Sequence, residues 1–360
     1  MMTNLGRLLR VPADFRKSSQ SHKSTSTVNS IFTSAAKGTI RPNPNLNAEL
    51  AARQLKAAFQ GIKSFRLGNT TDVLYIIKAC VTNNTESDQC TEIDKTFTKP
   101  ASELLELETD VVNHLGGHLR DVLLALIQTP QDFVADNIHG TLKKIRPEES
   151  ILVELLCGQS NSRIRLIKES YRKKYGRDLD VAVKREMNSD LRRLMRILLH
   201  TEREEVEVNV AQAHKEAQML AHAGVGMRYG TDDAVIAELL FRRSYPHLRE
   251  MFAEFQTVKQ HPIEDSIRLD FRGGLRDGLL ALVKAVNDPI EFFTDQIRAA
   301  FRDPEPNDYQ LIRLLVARSE VDLADIKDCY VEKYDSKLGS IITEETRGDY
   351  RRILLRLLGY

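Results

Sequence analysis

From Asn47 to the C-terminus, Leu, Ile and Ala return every three and four residues, and no stretch alternates apolar and polar positions as a half-buried strand does. The pattern predicts an all-α chain. One apolar block reads Leu119-Arg120-Asp121-Val122-Leu123-Leu124-Ala125-Leu126, and similar blocks start at Leu191, Leu275 and Tyr350. The starts lie roughly 72, 84 and 75 residues apart, the near-constant period of a repeat architecture. A second marker moves in step. Asp72, Glu149, Asp233 and Asp308 each precede an apolar helical face, at Ile76-Ile77, Leu152 with Leu155, Ile236 with Leu239, and Leu311 with Leu314. An acid is favoured at a helix start by the macrodipole. Two markers sharing one period predict four copies of one helical unit.

The copies are expected at residues 46–128, 129–200, 214–290 and 291–360. Between the second and third, residues 201–213 lengthen the interval. Their Glu202, Glu204, Glu205 and Glu207 read either as a solvated linker or as the first turns of a connecting helix, and the extra length predicts two pairs of repeats joined there. Residues 1–45 lack the periodicity. They are Ser/Thr-rich and basic, with Pro12, Pro42 and Pro44, and read as a flexible tail. Leu5, Leu8 and Leu9 share one face of a short basic segment, which leaves three uses open: a partner-docking helix, a presequence, or plain disorder. Ser18, Ser19, Ser24, Thr25 and Ser26 lie among lysines, the composition of a phosphorylation region.

Composition narrows the function. With 52 Lys+Arg against 51 Asp+Glu, no bulk field draws the chain to nucleic acid. No apolar run reaches the eighteen or so residues of a spanning helix. Cys80, Cys90, Cys157 and Cys329 form no CxxC pair and fit a reducing, intracellular compartment, so the sequons at Asn69 and Asn83 are chance matches. There is no P-loop, HExxH or GxSxG, and the chain is expected not to be an enzyme. His114 and His118 have metal-ligand spacing, but Leu115-Gly116-Gly117 between them predicts a turn rather than a rigid helix.

The stretch richest in chemistry is Ala223–Asp233. Gly224, Gly226 and Gly230 fall within seven residues and let the backbone turn its carbonyl oxygens toward one point. Ca²⁺ takes six to eight oxygens, so such a loop still needs a carboxylate. Asp270, just ahead of Gly273-Gly274, is the candidate. The glycines do not make a dinucleotide fingerprint: the last interval is one residue too long and no strand precedes it. Taken alone they also suit a plain helix stop and turn.

Four units of about seventy residues, a loop opening a helix at Gly230-Thr231-Asp232-Asp233, and an acid about 40 residues on resemble the annexin family. So do Tyr175-Gly176-Arg177-Asp178-Leu179 in the second unit, and Val316-Ala317-Arg318-Ser319 and Arg347-Gly348-Asp349-Tyr350 in the fourth. The resemblance covers residues 46–360. It implies five helices per repeat in a slightly curved disc, with calcium loops on a convex face that docks on anionic phospholipid such as phosphatidylserine.

Carried over residue by residue, the resemblance places third-repeat loop ligands at Gly224 or Val225, Arg228 and Gly230, with Asp270 where the family usually has Glu. Met227, Arg228 and Tyr229 would meet the membrane. In the first repeat the loop Arg66–Thr71 is one glycine short and His114 holds the acid's position. In the second, Lys143-Lys144-Ile145-Arg146-Pro147 replaces the glycines ahead of Glu186, and Lys143, Lys144 and Arg146 form a candidate basic lipid patch in place of calcium. In the fourth, Asp303-Pro304-Glu305-Pro306 stands ahead of Glu345. The implied cofactor is Ca²⁺ and the implied partner an anionic phospholipid surface, with a protein partner for the tail and self-association left open. The implied location is the cytoplasmic face of membranes, unconventional export also being open. The competing reading is a scaffold with little calcium dependence that acts through protein contacts.

Overall fold

The computed structural model describes residues 37–39, 108–144, 149–156, 159–187, 191–200, 202–204, 208–222 and 239–360. All regular elements among them are helices. Residues 108–114 are helical and lead to α1 (Gly117–Ile127), the last helix of the first repeat. The second repeat is α2 (Pro130–Leu142), α3 (Glu149–Leu156), α4 (Asn161–Tyr175), α5 (Leu179–Glu186) and α6 (Leu191–His200). The third contributes α7 (Val210–His222), helical residues 239–242, α8 (Tyr245–Lys259), α9 (Ile263–Asp270) and α10 (Gly273–Asn287). The fourth is α11 (Pro289–Ala299), α12 (Asp308–Arg318), α13 (Leu323–Tyr334), α14 (Leu338–Glu345) and α15 (Gly348–Leu357). The predicted five-helix unit is complete in the second and fourth repeats.

Local chemistry sets the helix starts. Thr129, Ser160, Ser244, Asp288 and Asn307 each accept a hydrogen bond from a first-turn amide, and Pro130 and Pro289 occupy first positions where no intrahelical N–H is needed. Within a repeat the first helix packs on the third: α2 on α4, α7 on α8, α11 on α13. A polar clasp recurs on this contact. Tyr175 donates to Asp136 (2.5 Å), which also accepts from Lys174 (2.6 Å). At an offset of 159 residues, Tyr334 and Lys333 hold Asp295, joined by Lys284. Burial pushes the Asp295 carboxyl up, but hydrogen bonds from Lys284, Lys333 and Tyr334 outweigh it and hold its pKa near about 2. Because the folded value lies below the ordinary carboxylate value of about 4, this clasp stabilises the fold above that pH and is lost as pH falls through about 2. Acid titration followed by near-ultraviolet circular dichroism should therefore show a shallower loss between these pH values in Asp295→Asn than in the unsubstituted chain.

Between repeats, α3 packs on α10, and α12 on α1. Among the described residues the second repeat therefore packs on the third and the fourth on the first, besides the contact of α10 with α11 that joins the third to the fourth. Chain order records which units follow one another; it does not record that a closed arrangement brings the last against the first. Nor is all of the linker solvated. Arg203 is buried and donates to the Leu240 carbonyl (3.0 Å), Glu204 pairs with Arg243 (2.5 Å), and α7 already begins at Val210. Glu205 and Glu207 lie outside the described residues.

Part of the expected flexible tail is also bonded. The Lys37 amide donates to Asp325 (2.6 Å) and its carbonyl accepts from Ala324 (2.9 Å); the Thr39 amide donates to Ser319 O (2.8 Å) and its hydroxyl to Leu357 O (2.5 Å). Gly38 lies so close to the Glu320 main chain that a Cβ would stand 2.6 Å from its carbonyl carbon. Gly38→Val is expected to detach this strap at a cost of about 1–3 kcal/mol, the range for overpacking. Limited trypsin digestion should then cut after Lys37 faster than in the unsubstituted chain. Equal rates would show that the strap does not protect this bond.

Candidate calcium and membrane site

In the first, third and fourth repeats the chain turns sharply between the fourth and fifth helices, and the candidate residues sit at this turn. Asp270 closes α9 and Gly273 opens α10; Glu345 closes α14 and Gly348 opens α15; His114 ends the helical residues before Gly117 opens α1. In each case a glycine follows three positions after the candidate, with φ of 61° at Gly117, 59° at Gly273 and 63° at Gly348. This left-handed conformation costs an L-residue about 1–2 kcal/mol. In the second repeat Ser189 stands at that position, outside the described residues.

The turn in the third repeat is anchored from below. Ile263, Ser266 and Ile267 form the buried stripe of α9, and Phe271 is buried just past its end. Asp270 is therefore held at the rim, half-buried, with Oδ2 shielded from solvent. Its position is electrostatically telling. A helix C-terminus is the negative end of the macrodipole, so a carboxylate there is unfavourable unless a cation is at hand. Glu186, Asp270 and Glu345 all occupy that place.

The four candidates differ in what they meet. His114 Nδ1 lies 2.9 Å from the Asp110 carbonyl, and a nitrogen ligand does not suit Ca²⁺. Glu186 is flanked by Lys143 (3.4 Å), Arg185 (3.7 Å) and Arg177 (3.9 Å). Glu345 is exposed and makes no ion pair among the described residues. Asp270 and Glu345 both offer a hard oxygen donor at a helix end rich in carbonyls, but Pro304 and Pro306 stand ahead of Glu345 where the third repeat has glycines, which leaves Asp270 as the candidate for calcium. Of the basic patch, Lys143 is the residue after α2 and Lys144 is exposed beside it, whereas Arg146 lies outside the described residues. The predicted loop residues Gly224, Val225, Met227, Arg228, Tyr229 and Gly230 also lie outside them.

The repeats find counterparts among known proteins. A family model described as Annexin matches residues 133–198, 215–282 and 292–357, more than half of the chain. This chain belongs to the annexin family. It is 30% identical to human annexin A7 over 329 residues, 91% of this chain but 65% of that protein's length. It is 31% identical to mouse annexin A13 over 309 residues, 86% of this chain and 95% of its relative. The solved structure of annexin III superposes with a TM-score of 0.78 at 28% identity, covering 90% of this chain and 97% of that one.

One residue of this annexin escaped the reading of its sequence. Leu269, next to Asp270, is 77% exposed. The signal was present: with Ile263, Ser266 and Ile267 on the buried stripe, position 269 falls off it, where a polar residue is the norm. His118, set aside as a metal ligand, instead bridges repeats, with Asp121 at 3.4 Å and Asp308 at 3.3 Å.

Proposed function

We propose that this annexin binds anionic phospholipid surfaces in a calcium-dependent way through its third repeat, and that it works as a binding protein rather than an enzyme. The observation that carries this reading is Asp270, a carboxylate held by the Gly273 turn at the negative end of α9 with the apolar Leu269 beside it. Ca²⁺ would add positive charge at this negative helix end. The main-chain oxygens of Gly224 or Val225, Arg228 and Gly230 would complete the protein's ligand set, and a lipid phosphate would take an open position. Met227, Tyr229 and Leu269 would meet the interfacial region of the bilayer. No helix among the described residues is long and apolar enough to cross a membrane, and attachment at the cytoplasmic face is the proposed mode. Co-sedimentation with phosphatidylserine vesicles, with calcium and with a chelator, tests the proposal; binding indifferent to calcium would overturn it.

Leu269 gives a second handle on the same reading. Full burial of a leucine is worth about 1.5–3 kcal/mol, and partial insertion less. Leu269→Ser should weaken vesicle binding by up to about tenfold while leaving the calcium affinity measured without lipid unchanged. A scaffold acting through protein contacts is the alternative, favoured by His114 and Glu186, whose surroundings do not suit calcium. Calorimetry with Ca²⁺ on the isolated protein separates the two, since the scaffold expects no heat.

A further inference from the structure

In the second repeat the acidic helix end meets cationic side chains. Glu186 closes α5 as Asp270 closes α9, but three cations surround its Oε1: Lys143 from the end of α2 at 3.4 Å, Arg185 from its own helix at 3.7 Å, and Arg177 from the turn before α5 at 3.9 Å. Lys143 follows α2, and its ammonium reaches the carboxylate from a different helix of the repeat. Three positive charges face one negative charge, and Arg185 is 71% and Lys143 50% exposed. The surplus is felt locally. Burial chiefly holds the nearby His139 below its usual pKa, with repulsion from Lys143 and Arg177 adding to it, while Asp136 and Glu186 act the other way.

We infer that the second repeat carries a calcium-independent anion site, in which Lys143 takes the metal's place on Glu186 while Arg177 and Arg185 receive the phosphate of an anionic lipid headgroup. A planar guanidinium pair suits phosphate oxygens, whose two-pronged recognition favours arginine. Glu186 ends α5 as Asp270 ends α9, each the fourth helix of its repeat, which puts the site on the corresponding face, and the inference rests on the proposed membrane docking for that orientation alone. Glu186 is then a brake: it lowers the local charge instead of ligating calcium.

Vesicles of phosphatidylserine and phosphatidylcholine, sedimented in chelator at low ionic strength, test this directly. The full-length protein should bind them, and should release them as salt shortens the screening length to about 10 Å or less. One basic residue near such a surface is worth about fivefold in binding. Arg177→Ala with Arg185→Ala should therefore weaken binding in chelator by more than tenfold. Glu186→Gln should strengthen it by about fivefold, the opposite of what loss of a calcium ligand would do. Asp270→Ala should shift only the added, calcium-dependent binding to higher calcium, whereas the Arg177 and Arg185 substitutions should weaken the binding seen in chelator, so failure of the third-repeat site and failure of this one are separable. Excess soluble glycerophosphoserine that leaves vesicle binding intact supports a surface-bound headgroup over capture of free phosphate. No sedimentation in chelator, or a Glu186→Gln variant that loses calcium-dependent binding, overturns the inference.

Discussion

Asp270→Ala should raise the calcium needed for half-maximal vesicle binding on the order of tenfold to a hundredfold, because it removes the sole charged ligand proposed for the third repeat and calcium affinity follows the ligand charge count. The fold should not suffer. A carboxylate at the last position of α9 opposes the helix dipole by about 0.3–1 kcal/mol, which limits what its removal costs, so thermal unfolding should change far less than the calcium response. Asp270→Asn, which keeps the shape and removes the charge, should behave like alanine in the calcium response. Asp270→Glu, the residue that the family resemblance places here, should retain binding. If the alanine variant sediments at the same calcium concentration as the unsubstituted protein, the third-repeat site is not what attaches this annexin to lipid.

The features that were legible in the sequence are those that a single repeat must carry by itself. The Leu119, Leu191, Leu275 and Tyr350 blocks fall in α1, α6, α10 and α15, the fifth helix of each repeat, whose apolar faces must be buried wherever the unit sits. Asp270 was legible because it stands at a fixed step ahead of Gly273, and that glycine is needed for a left-handed turn. Relations between segments were not legible. The resemblance sets the Lys143 segment at the loop that belongs with Glu186, but nothing in two residues of common types 43 positions apart advertises their 3.4 Å ion pair. The pairing of the fourth repeat with the first follows from closure of the whole arrangement, which no local pattern encodes. The strap at residues 37–39 has no apolar periodicity and holds through main-chain bonds and Thr39, so a composition-based reading assigns it to the tail.

The largest stability effect is expected where two such distant segments meet. Residues 151–156 of α3 and 311–316 of α12 are buried on every side, as befits helices at the centre of a packed body. Glu154 and Arg313 are the charged residues among them, exposed by only 5% and 8%, and they face each other as a fork, with Nε to Oε1 at 2.9 Å and Nη2 to Oε2 at 3.1 Å. Taking both ions out of water costs several kcal/mol each, roughly recovered by their attraction and two charge-assisted bonds. The pair is therefore a weak source of net stability and a strong constraint, since either member alone is a buried charge. Arg313→Ala should destabilise the fold by about 3–5 kcal/mol, more than truncation of any surface ion pair, whose usual worth is about 0–1 kcal/mol. Glu154→Leu combined with Arg313→Met should recover most of that loss, because the double variant leaves no ion stranded between the second and fourth repeats. Urea unfolding of the three proteins, followed by two probes to check that each transition is concerted, gives the comparison. A single variant less than about 1 kcal/mol from the unsubstituted chain, or a double variant no better than the single one, would mean that water reaches this pair and that the two repeats are not joined through it.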